Sequence, residues 1–165
     1  TNVTVNGTLS NFDYGADHTV LRLPLSFALG EGQQVDIGVR YTLKAPEKPA
    51  GRYVIFGLSQ SVLSLPLAYP VLAVYTPSGW ALNSGLPMGD TLFSESALYH
   101  VSAAYSQTLT AVHAGTLVAR QPITSSGTVR ETYVTGPVRE FAFSSALTII
   151  SWRKMSMACV FVPTI

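Results

Sequence analysis

Three histidines, one cysteine and nine carboxylates are the residues of this 165-residue chain that could carry chemistry. Zinc hydrolysis needs two histidines one helical turn apart and a third ligand that reaches the same ion. His18, His100 and His113 have no second histidine nearby, and each sits in a strand-like run. Alternate positions on neighbouring strands could gather them on one face, but a surface or half-buried strand residue is the simpler reading of each. No G-x-S-x-G elbow occurs. Cys159 lies in the apolar run Met157-Ala158-Cys159-Val160-Phe161, where a thiol is expected to be buried and inert. A single cysteine also excludes an internal disulfide and a Cys-based zinc site. Asp90 and Glu95 are the best pair for glycosidase-type acid and base work, and ordinary surface carboxylates are the competing reading. Trp80, in the same irregular stretch, offers a face for sugar stacking or an interface anchor, or a ring folded over the core edge.

The elements that must position these residues are strands. No window of twelve or more residues keeps a helical period. Val3 and Val5 alternate with Thr4 and Asn6, and Asn6-Gly7 is a hairpin signal. Val35, Ile37, Val39 and Tyr41 line one face of a strand whose other face is polar or glycine. Arg52–Leu58 and Tyr69–Tyr75 read as buried strands. Tyr99, Val101, Ala103 and Tyr105 are in phase in the next, and short runs follow from Thr108 to Val162. From Thr76 to Ser94 glycine, proline, serine and asparagine mark the longest irregular stretch, of the kind that is functional or at an interface. The pattern predicts one all-β domain over residues 1–165. It is an antiparallel sandwich or saddle of curved sheets with eight to eleven short strands and little or no helix.

Composition narrows the function. Charged residues are 12% of the chain and hydrophobic residues 47%, which excludes a disordered tail. The net charge of +1 provides no general field for nucleic acid. The most apolar window, Val62 to Tyr75, is shorter than a bilayer span and contains Pro66 and Pro70. No signal peptide is visible, and the sequence opens inside a strand, which predicts a fragment or processed product. Basic residues concentrate late: Arg120, Arg130, Arg139, Arg153 and Lys154 lie in the last 46 positions with only Glu131 and Glu140. That asymmetry is either surface scatter or a face turned to an acidic partner domain.

One ordered set of segments resembles a known family. It runs from Val3-Thr4-Val5-Asn6-Gly7 through Val20-Leu21-Arg22-Leu23-Pro24-Leu25 and Leu29-Gly30-Glu31-Gly32 to Val35-Asp36-Ile37-Gly38-Val39-Arg40-Tyr41. It continues with Tyr69-Pro70-Val71-Leu72-Ala73-Val74-Tyr75, Gly79-Trp80, Pro87, Gly89-Asp90, Phe93-Ser94-Glu95 and Tyr99-His100-Val101. Gly136-Pro137-Val138-Arg139-Glu140-Phe141-Ala142-Phe143 and a closing strand ending Val162-Pro163 complete it. This order is similar to the N-terminal β-domain of M1-family zinc metallopeptidases, the aminopeptidase N-like gluzincins. The likeness is closest to bacterial M1-like proteins, some of them membrane-attached.

The resemblance implies a non-catalytic saddle that buttresses a catalytic domain of the same parent chain and walls one side of a peptide-substrate cleft. It implies zinc for that catalytic domain and no cofactor for this segment, since neither H-E-x-x-H nor G-x-M-E-N occurs here. The family's first strands, upstream of Val3, are expected to be missing. Asp90 matches the acid of the family's P-x-x-D-E-P segment only loosely, and no Glu-Pro follows it. Trp80, Asp90 and Glu95 are therefore the cleft or interface candidates, and Arg139 and Glu140 are expected to serve ion pairing or loop anchoring. Two other classes fit the residues. One is a stand-alone carbohydrate- or protein-binding β-sandwich using Trp80, Tyr75 and Tyr69. The other is a viral or structural jelly-roll subunit, favoured only by the high apolar content and low charge.

Overall fold

The computed structural model describes residues 1–15, 18–47, 56–82, 93–123, 127–146 and 158–159. They form fifteen strands in antiparallel sheets, with no helix. The strands outnumber the eight to eleven expected because many pairings are only two or three residues long. Strand β1 (Asn2–Val5) turns at Asn6-Gly7 into β2 (Thr8–Ser10). Both turn residues have positive φ, 48° and 79°, as the tight turn of a right-twisted hairpin requires. Asn6 also fixes the third strand of this sheet. Its amide donates to the Asp36 carbonyl at 2.8 Å and its Oδ1 accepts from the Asp36 amide at 2.9 Å. That sets the register of β5 (Ile37–Arg40) against β1. Between them, β3 (Asp13–Tyr14) and β4 (Leu21–Arg22) make a short ribbon.

Two four-stranded sheets face each other and hold the core. One has the order β11 (Thr110–His113), β14 (Ala142–Ala146), β7 (Val62–Pro66), β6 (Gly57–Ser59). The other has the order β12 (Thr116–Ile123), β13 (Thr128–Val134), β10 (His100–Ser106), β15 (Ala158–Cys159). Strict alternation decides which side chains meet. Leu63 and Leu65 on β7 and Phe143 on β14 point inward, as do Val101, Ala103 and Tyr105 on β10 and Val129 and Tyr133 on β13. Burial of each valine, leucine and phenylalanine among them stabilises the fold by about 1.5–3 kcal/mol. Tyr105 meets Phe143 edge-on at 5.7 Å across the sandwich. A bridge between Ala97 and Val138 ties the approach to β10 to the approach to β14, with bonds of 2.9 and 3.1 Å.

Some expected strands are shorter than their apolar runs. Of Tyr69–Tyr75 only Tyr75 lies in a strand, β8 (Tyr75–Thr76), which pairs with β9 (Gly79–Trp80). Pro70 has no amide to donate, and Leu67 at φ 51° turns the chain out of β7 before that run begins. Of Arg52–Leu58, only the end lies in the described residues, where β6 begins at Gly57.

Candidate functional site

Two regions gather chemistry-bearing side chains, one in the core and one at the surface. The first is centred on Glu131, only 5% exposed on the inner face of β13 between Val129 and Tyr133. A buried carboxylate must be fully hydrogen-bonded to remain charged. Here the Tyr105 and Tyr133 hydroxyls both donate to Glu131 Oε2, with the two phenol oxygens 3.4 Å apart. Arg120 Nε lies 3.3 Å from Oε1. His113, inward on β11 of the opposite sheet, lies over the Tyr133 ring at 3.7 Å between centroids, tilted by 35°.

A β-bulge is what brings Arg120 to this group. Along β12, Leu117 opposes Tyr133, but Ala119 opposes Thr132 and Arg120 opposes Glu131, so Val118 is the extra residue. With uninterrupted pairing Arg120 would oppose Arg130 and share its outward face. The bulge puts the arginine on the Glu131 side of the sheet, with its side chain 61% exposed. Arg120 is thus committed to Glu131 rather than presented as a free cation to an acidic partner. Arg130 remains exposed, and Arg153 and Lys154 lie outside the described residues.

The cluster sets its own protonation. Burial works to raise the Glu131 pKa. Hydrogen bonds from Tyr105 and Tyr133, with the positive charge of Arg120 and the field of His113, overcome this and hold it below the ordinary 4.5. Burial pushes Tyr105 up to about 12, aided by its bond to Glu131. Burial also raises Tyr133 above its ordinary 10, followed by its bonds to Glu131 and Tyr105. At neutral pH the group is therefore one carboxylate held by two neutral phenols and a guanidinium. Its donors and acceptors face one another, which suits it to holding strands in register.

The second region is the β8–β9 hairpin. Tyr75 and Trp80 oppose each other across it, 70% and 55% exposed, ring edge to ring face at 5.0 Å and 71°. Pro77 presets the turn and Gly79 takes φ 105°, a conformation side chains rarely adopt. Thr76 Oγ1 donates to the Gly79 carbonyl at 2.9 Å and accepts from the Ser78 amide at 3.2 Å. The Ala81 amide bonds the Val74 carbonyl and extends the ladder, with Val74 turned into the core and Tyr75 out. The hairpin thus presents Tyr75 and Trp80 on one rigid outer face.

The sequence-predicted residues do not converge on one place. Trp80 is exposed as an aromatic candidate should be, whereas Tyr69 is only 7% exposed and accepts the Phe141 amide, so it has no face for a ligand. Asp90 lies outside the described residues, and Glu95 is exposed. At Arg139 the backbone acts as an anchor: its carbonyl accepts from the Tyr99 hydroxyl at 3.1 Å and from Ser94 Oγ at 3.3 Å. Glu140 is exposed beside it. Among the described residues no three His, Cys, Asp or Glu side chains are grouped to hold a metal ion. His18 stands against Tyr14 in the β3–β4 ribbon, His100 is exposed, and His113 stacks in the core. Glu131, Tyr105 and Tyr133 were absent from the sequence candidates. The available signal was a glutamate in the apolar phase Val129-x-Glu131-x-Tyr133.

No family model matches the chain, and no curated protein or solved structure matches it.

Proposed function

We propose that this chain is the non-catalytic N-terminal β-domain of an M1-like zinc metallopeptidase, buttressing a catalytic domain and walling one side of its substrate cleft. The observation that carries the reading is the chain order of the family-like segments from Val3-Thr4-Val5-Asn6-Gly7 to Gly136–Phe143. Consistent with a scaffold, Val3–Val5 and Ile37–Arg40 from that set are neighbours in one sheet, and Val138 bridges to Ala97 at the approach to Tyr99. The role asked of the chain is rigidity. A core of interlocked tyrosines, phenylalanines and a satisfied carboxylate supports it. The coding sequence downstream of Ile165 tests the proposal. An H-E-x-x-H motif with a further glutamate ligand is expected, and an open reading frame without one would overturn it. The purified chain should also bind no stoichiometric zinc and cleave no aminoacyl reporter.

A second reading, a stand-alone carbohydrate- or protein-binding sandwich, is favoured by the exposed Tyr75–Trp80 pair. A glycan array distinguishes it. Binding that Trp80→Ala abolishes would support this reading, and an array without hits would remove its carbohydrate form.

A further inference from the structure

We infer that the Arg120–Glu131 contact is an acid-released clasp on edge strand β12: with Glu131 ionised it holds β12 to the sandwich, and protonation of Glu131 frees that strand locally before the fold is lost. Among the described residues strand β12 is the outermost of its sheet, paired only with β13, and it is exposed along most of its eight residues. Its ladder is interrupted by the bulge at Val118. Arg120 ties it from near its middle to a carboxylate inside the core.

The groups facing Glu131 fix how the clasp opens. Tyr105 comes from β10, Tyr133 from its own strand, Arg120 from β12, and His113 from β11 lies behind Tyr133. The inner faces of β7 and β14 add Leu63, Leu65, Phe143 and Ser145, which bring no charge. Oε2 already accepts two hydroxyl protons, so an incoming proton goes to Oε1, the oxygen facing Arg120. A protonated carboxyl ceases to be the anionic partner of the guanidinium, while both tyrosine bonds to Oε2 survive. The folded-state pKa is held below the ordinary 4.5. The stabilisation is therefore complete above 4.5 and is lost as pH falls through the lower folded value.

Amide hydrogen exchange on the full chain tests this, corrected for the intrinsic pH dependence of exchange. On acidification from neutral pH to below 4.5, β12 amides should lose protection about fivefold, the size of an ion pair with one partly exposed member, while β7 and β14 keep theirs. Glu131→Gln should show the lowered β12 protection already at neutral pH and no further step on acidification. Should that variant not fold, Arg120→Met, which leaves the tyrosine bonds in place, should behave the same way. Wild-type β12 protection that falls only together with β7 and β14 would overturn the clasp. So would an equal acid step in Arg120→Met.

Discussion

The core cluster around Glu131 and the β8–β9 hairpin both assemble aromatic side chains across antiparallel strands, yet they use them in opposite ways. In the core, Tyr105 and Tyr133 turn their hydroxyls onto one carboxylate and their rings onto Phe143 and His113, and little surface is left. On the hairpin, Tyr75 and Trp80 spend one ring contact on each other and leave most of both rings in water. A polar group inside the fold costs stability whenever a partner is missing, so the first region tolerates little change. The second makes few contacts with the rest of the molecule, so it can vary without cost to the fold and is free to meet something else.

Substitutions should separate the two regions by size of effect. Glu131→Ala leaves two buried hydroxyls and a guanidinium without their acceptor. It should lower unfolding free energy by about 3 kcal/mol in urea denaturation, with an unchanged m-value. A change under about 0.5 kcal/mol, the size of an ordinary surface effect, would show that the cluster is no keystone. Tyr133→Phe keeps the ring over His113 and removes a single donor, so the same titration should give about 1.5 kcal/mol. Ser145→Ala reverses the sign. The Ser145 hydroxyl is buried with no partner, and its removal should be neutral or stabilising by up to about 1 kcal/mol in thermal unfolding. Trp80→Ala should move stability least, within about 0.5 kcal/mol, because the exposed ring loses chiefly its contact with Tyr75. A large thermal shift in that variant would mean that the hairpin serves the fold as the core does.

Much of the fold was legible because its signals are local. Asn6-Gly7 between alternating residues specifies a hairpin through backbone stereochemistry alone, and the Val101-Ala103-Tyr105 phase specifies which side of β10 is buried. The candidate site was less legible. Trp80 could be singled out, but the same residue type serves exposed and buried roles, and Tyr69, with the same aromatic promise, is buried. Tyr69–Tyr75 reads as a buried strand from apolarity, while Pro70 and the turn at Leu67 keep all of it but Tyr75 out of a strand.

By itself, the sequence determined the all-β class and the alternation of its longer strands, because period-two patterning and turn chemistry act within a few residues. It also determined that a glutamate shares the buried phase of Val129 and Tyr133. The tertiary structure alone decided what that glutamate meets. A one-residue bulge at Val118 reverses the facing of Arg120, and strands distant in sequence bring Tyr105 and His113 to the same place. Register and pairing between strands distant in sequence are set by long-range packing, and no short stretch of chain encodes them.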